Sequence, residues 1–187
     1  MINPFKFWQY VKWRLYFPVG YAVVNLSSLR TWLISLNKPS NLVFENEYCG
    51  QKIILAAIYE KGVLREDVMN MFETAKKLGA YVLCVNTMKL ENPKEKLDGI
   101  VDCYIERFNY GRDFGSYKKG FLHIFKKGWC KNCPRVLMLN DSVFYSKKNL
   151  ESFLSDMLST EIDVLGATEN HEIHHHFGSF CISIGTK

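Results

Sequence analysis

Apolar positions along the chain alternate between short unbroken runs and longer segments with helical spacing. Ile53 to Tyr59, Tyr81 to Asn86 and Val136 to Leu139 are continuous apolar runs. Runs of this kind predict strands buried on both faces, as in a parallel sheet. Cys103 to Phe108 continues the rhythm as a further strand. Between the runs, Leu64, Val68, Met71, Phe72, Ala75 and Leu78 recur at helical spacing, and Gly79 ends that helix. Ser116 is placed to cap a second helix whose apolar face is Tyr117, Phe121, Leu122 and Phe125, ending at Gly128. A third helix carries Leu150, Phe153, Leu154, Met157 and Leu158. Asn92 to Gly99 reads as a polar connection, and Asp163 to Thr168 and Ser179 to Ile184 read as two closing strands. Strands alternating with helices imply right-handed crossovers, hence an α/β fold with a mainly parallel twisted sheet and flanking helices.

The stretch before this rhythm behaves differently. From Phe5 to Phe17, aromatic and basic residues interleave as a helical arm, until Pro18 and Gly20 break the pattern. The longest uncharged run, Leu15 to Leu29, contains Pro18, Asn25 and two serines. It falls short of the ~20 apolar residues a spanning helix needs, and no small-residue cleavage site marks a signal peptide. The segment suits the membrane interface, with Trp8, Tyr10, Trp13 and Tyr16 at headgroup level and the cations toward anionic lipid. The rival is a helix packed on the domain through the same aromatics. Asn37 to Asn41 reads as a linker, dividing an arm over 1–41 from a domain over 42–187.

Charge sharpens this division. The net charge of +5 comes from Lys6, Lys12, Arg14, Arg30 and Lys38, because residues 1–44 contain no acid. The remainder is neutral, which excludes a nucleic-acid-binding stripe there. Among six cysteines, Cys84, Cys103 and Cys181 lie inside apolar runs, a pattern that fits a reducing cytoplasm. Cys130-Lys-Asn-Cys133 follows a helix and leads into a strand, the reverse of a redox CxxC, and no second pair completes a zinc set.

Candidate chemistry gathers in two loops. Arg135-Val-Leu-Met-Leu-Asn-Asp-Ser142 runs from a buried strand into Asn140, Asp141 and Ser142. Parallel sheets bind ligands at the carboxyl ends of their strands. A carboxylate there suits a hard divalent cation shared with phosphate, although Asn, Asp and Ser also favour a plain turn. The second loop is Asn109-Tyr-Gly-Arg-Asp-Phe-Gly-Ser116. Gly111 and Gly115 permit close backbone approach, and a helix starting at Ser116 offers N–H groups to an anion. Arg112 can fork onto phosphate, while Asp113 can hold a ribose hydroxyl or pair with Arg112. Both loops leave the same sheet edge and together outline a nucleotide-diphosphate crevice. Asp113-Phe114-Gly115 lacks every other kinase element. His171-Glu-Ile-His-His175 matches the HExxH zinc pattern, but it occupies a short connection between strands, where one helical face is unavailable. A histidine-rich loop contacting phosphate or acceptor fits that position better.

The segments Asn109-x-Gly-Arg-Asp-Phe-Gly-Ser-Tyr117, Leu139-Asn-Asp-Ser142, Asp163-Val-Leu-Gly-Ala-Thr168 and His176-Phe-Gly-Ser179 resemble the ordered motifs of the rhamnan synthesis protein F family. That family is similar to GT-A-type glycosyltransferases, related to the Rossmann fold, that build bacterial cell-wall and lipopolysaccharide polysaccharides. The resemblance covers roughly 52–187. It implies a nucleotide-sugar donor such as dTDP-rhamnose, bound by Asn109, Gly111, Arg112, Asp113, Gly115, Ser116, Asn140 and Ser142. Asn140-Asp141-Ser142 takes the place of the DxD motif, with Asp141 as metal ligand for Mg²⁺ or Mn²⁺. His175, His176 and Ser179 contact acceptor or phosphate; Gly178 stands where the family usually has Gln. Glu169 is the candidate base for an inverting transfer to a lipid-linked or polysaccharide acceptor. The expected location is cytoplasmic, peripheral to the inner face of the bacterial membrane. GT-A domains continue past such a closing strand into acceptor-binding elements, so the resemblance also implies a truncated piece. The rival reading is a non-catalytic relative that docks on the membrane or a partner enzyme.

Overall fold

The computed structural model describes residues 4–171, 176–178 and 180–186, and it separates into two units, residues 1–39 and 40–187. The first unit is a single helix of 33 residues, α1 (Pro4–Leu36). It runs unbroken through Pro18 and Gly20, where the sequence pattern predicts a stop. A proline removes one backbone bond, and the helix continues on either side of it. Its apolar residues are spread around the helix instead of forming one stripe, and Trp8, Trp13, Tyr16, Phe17 and Tyr21 are all exposed. No helix among the described residues is long and apolar enough to cross a membrane.

The second unit runs β1 (Asn41–Glu45), β2 (Ile53–Ile58), α2 (Glu66–Lys77), β3 (Tyr81–Asn86), α3 (Pro93–Leu97), β4 (Cys103–Glu106), α4 (Arg112–Lys126), β5 (Arg135–Asn140), α5 (Leu150–Ser159), β6 (Val164–Gly166), β7 (Glu169–Asn170), β8 (His176–Phe177) and β9 (Cys181–Gly185). Seven strands form one sheet in the order β1-β4-β3-β2-β5-β9-β6, and β7 and β8 pair as a small hairpin. β2, β3 and β5 are buried at every position, as their unbroken apolar runs predict. Side chains alternate between faces. Ile54, Ala56 and Ile58 meet Val68, Phe72 and Leu154 from α2 and α5. Ile53, Leu55 and Ala57 meet Tyr117 and Ile124 from α4. The result is an α/β/α sandwich.

Two details of α4 depart from the sequence reading. Leu122 and Phe125 are exposed, and the buried face is Tyr117, Gly120 and Ile124. Gly120 sits directly on Leu55, where a Cβ would collide, so α4 rides close to the sheet on a position with no side chain.

The sheet is mixed where the sequence pattern predicts a mainly parallel one. β4, β3, β2 and β5 are parallel, but β1 pairs antiparallel with β4, and β9 pairs antiparallel with both β5 and β6. Neither β1 nor β9 is reached through a crossover helix, so neither is constrained to the parallel sense. β1 starts inside the stretch expected as linker. Because β6 and β5 run the same way and β9 returns between them, the 167–180 connection lies at the carboxyl edge of β5. Backbone bonds fix it there: Asn140 N–H donates to Phe180 at 3.1 Å and Ala167 N–H to Cys181 at 3.1 Å.

Candidate functional site

The carboxyl ends of β2, β3, β4 and β5 converge on one edge, and the two candidate loops meet there. Asn140 ends β5 in a buried position. Its Oδ1 accepts from Ser142 N–H at 3.1 Å, closing a turn, and its Nδ2 donates to Asp113 Oδ2 at 2.8 Å. The turn role and the bridging role therefore belong to one side chain. Asp113 is held by Asn140, a partner outside the two roles the sequence offers it, a ribose hydroxyl or Arg112. Asp141 is half-buried, and its Oδ2 accepts Tyr59 N–H at 2.5 Å from the end of β2. Burial, helped by the like charge of Asp113, raises the Asp141 carboxyl above its usual range, against the N–H of Tyr59 and the guanidinium of Arg65.

The loop from Asn109 to Ser116 is built differently from expectation. The cap of α4 is Gly111, at φ +75°, and the helix begins at Arg112. Ser116 therefore lies a full turn inside, buried, and the open N–H groups of the first turn start at Arg112. Arg112 itself has φ +47°, a left-handed conformation that costs a non-glycine residue roughly 1–3 kcal/mol. Arg107 offsets that strain from the inside. Its guanidinium donates to the carbonyls of Tyr110 and Arg112 and to Ser116 Oγ. Gly115 is pressed against the same Tyr110 carbonyl and the Arg107 guanidinium, so its missing side chain serves packing within the loop. Asn109 is half-buried, and Gly111, Arg112 and Ser142 are exposed.

Several residues that hold this edge escaped the sequence reading. Glu60 follows β2 and is buried, which raises its carboxyl pKa despite Arg65 at 3.6 Å. Arg65 binds Asp67 at 2.9 Å and donates to the carbonyls of Asp141 and Val143 at 2.9 Å each. That pairing holds the Asp67 carboxyl below its usual range. Asp67 also accepts from Tyr145 N–H, and Tyr145 Oη donates to the Asn140 carbonyl at 2.6 Å. Asn86, fully buried at the end of β3, donates to the Glu60 carbonyl and to Tyr104 Oη. The position of Glu60 just past a buried strand was the available signal; the roles of Arg65 and Arg107 depend on loop shape and left none.

Glu169 is exposed on β7, with His171 Nε2 3.5 Å from its carboxylate, and His176 is exposed on β8. Both belong to the 167–180 connection and thus to the Asp141 edge. His175 and Ser179, together with most of the HExxH segment, lie outside the described residues. Among the described residues Asp141 is not part of a three-donor cluster; the one such cluster lies at the opposite edge of the sheet. The oxygen donors of Asp141, Asp113 and Asn140 still fit a hard cation that completes its shell with phosphate and water.

No protein-family model and no solved structure matches the chain. The uncharacterized protein y4gN of Sinorhizobium fredii (strain NBRC 101917 / NGR234) is 27% identical over 135 residues, which is 70% of this chain and 35% of that protein. The chain spans about a third of the length of the curated relative it matches.

Proposed function

We propose that the 40–187 unit is a GT-A-like glycosyltransferase domain of the rhamnan synthesis type. It moves a sugar from a nucleotide-diphosphate donor, such as dTDP-rhamnose, to a lipid-linked or polysaccharide acceptor. The observation that carries the reading is the bond between Asn140 Nδ2 and Asp113 Oδ2, which joins the two motif loops at the carboxyl edge of a parallel core. The first turn of α4 offers its N–H groups, and Arg112 its cationic fork, to the diphosphate. Asp141 and Asp113 are the residues to hold Mg²⁺ or Mn²⁺, which supplies charge neutralisation for the departing diphosphate. Asn140 fixes the spacing of the two carboxylates. Glu169 takes the proton of the acceptor hydroxyl, and His176 lies on the neighbouring strand toward the acceptor.

Titrating dTDP- and UDP-sugars with and without Mn²⁺ tests this reading. Saturable binding that Mn²⁺ strengthens is expected. Absence of binding at millimolar donor sinks it, and leaves a docking module.

The arm is assigned to an anionic membrane surface at the cytoplasmic face. The exposed aromatics of α1 need an apolar phase, and five cations without one acid over residues 1–44 select a negative one. Deleting residues 1–36 is expected to release the protein from anionic vesicles. Added salt is expected to weaken binding of the full chain, since the Debye length is only ~8–10 Å at moderate ionic strength. Unchanged sedimentation of the truncated protein contradicts the assignment.

A further inference from the structure

We propose that Glu45, Cys103 and His123 form a zinc site at the amino edge of the sheet, opposite the Asp141 edge. Glu45 ends β1 and Cys103 starts β4, and the two are partners in the antiparallel register. His123 reaches them from α4. Its Nε2 lies 2.5 Å from Glu45 Oε2 and 3.8 Å from Cys103 Sγ, and the three donor atoms all fall within 4.8 Å of one another. A tetrahedral zinc ion needs such donors roughly 3.3–3.7 Å apart, from bond lengths of about 2.0–2.3 Å. The observed spacings bracket that value, so shifts of well under 1.5 Å per atom suffice.

The arrangement around Nε2 is what singles the cluster out. One ring nitrogen faces two groups that each become anionic. A single N–H can satisfy only one of them, and it serves Glu45. A cation at that point serves both. The other oxygen of Glu45 is taken by Lys127, which leaves Oε2 as a single ligand atom. Trp129 packs edge-on against the His123 ring at 5.2 Å between centroids and fixes its orientation. Cys103 is fully buried and the His123 side chain is 9% exposed, so the donors are held by the core. A thiolate, an imidazole and a carboxylate suit Zn²⁺, whereas Mg²⁺ and Mn²⁺ prefer the all-oxygen set at the other edge. Binding releases the thiol proton to solvent and leaves the imidazole neutral, protonated on Nδ1. Three protein ligands leave a fourth position for water. The ion would pin the marginal strand β1 to β4 and α4.

The test uses the full chain after chelation. Adding Zn²⁺ is expected to bind one equivalent and raise the melting temperature. Adding Co²⁺ instead is expected to give a thiolate-to-metal charge-transfer band. Cys103→Ser should abolish the band, and Glu45→Gln, which spares the thiol and the core, should weaken zinc binding at least about tenfold to a hundredfold, the range seen even for changes one shell further out. Absence of the band and of any zinc-induced stabilisation in the wild-type chain overturns the proposal. A band that survives Cys103→Ser overturns it as well, and assigns the metal to Cys130 and Cys133.

Discussion

Asp141→Asn is expected to leave the fold intact and to remove Mn²⁺-dependent donor binding and transfer. The side chain accepts one hydrogen bond, from Tyr59 N–H, and an asparagine carbonyl oxygen can accept it equally well. Burial and the neighbouring Asp113 disfavour the charge at this position. Neutralising it therefore costs the apo protein nothing, and the melting temperature should stay level or rise. The charge has value only when a cation and a diphosphate are present. Losing one preorganised charge-stabilising contact typically removes about 3–4 kcal/mol, roughly a hundred- to thousandfold in rate. Isothermal titration with and without Mn²⁺, beside a thermal melt, reads both effects. A variant that binds the nucleotide sugar with unchanged Mn²⁺ dependence reduces Asp141 to a turn residue and removes the main support for the mechanism.

Gly115→Ala should do the opposite, damaging the structure first and the chemistry through it. A Cβ at this position collides with the Tyr110 carbonyl and the Arg107 guanidinium, which are already bonded to each other. Neither can retreat cheaply, because Arg107 also holds Arg112 and Ser116. Overpacking of this kind typically costs about 1–3 kcal/mol. The expected result is a lower melting temperature and weakened donor binding, from displacement of the first turn of α4. Gly20→Ala, in a helix interior where nothing lies within 4 Å, is the control and should melt no lower than the wild type. An unchanged melting point for Gly115→Ala contradicts the packing of this loop.

The frame of the fold was legible because burial on both sides leaves an unmistakable pattern. The runs that became β2, β3 and β5 contain no charged side chain apart from Arg135 at the first position of β5. The margins were less legible. β1 mixes exposed and half-buried residues, and β9 alternates, so neither announces its direction. At the candidate site, the apolar run before Asn140 and Asp141 was enough to foresee their place at the carboxyl end of a buried strand. Ser116 was misread as a cap because serine favours that role. Gly111, five residues earlier, meets the positive φ that the turn requires. The partnership of Asp113 with Asn140 joins residues 27 positions apart and has no local signature.

The bond from Tyr59 to Asp141 spans 82 residues, and it has a consequence for how the protein comes into being. Contacts that distant form late, because loop closure must precede them. Chain synthesis proceeds at about 5–20 residues per second. The far side of β2 therefore waits roughly four to fifteen seconds between its own emergence and the arrival of β5. During that interval a fully apolar strand edge lies open, a template for pairing with another chain. Yield in the cell should thus respond to whatever shields that edge, such as slower initiation or a holding chaperone, more than to changes at the finished site. The Asp141 edge, completed only when β5 arrives, is therefore among the last parts of the fold to form.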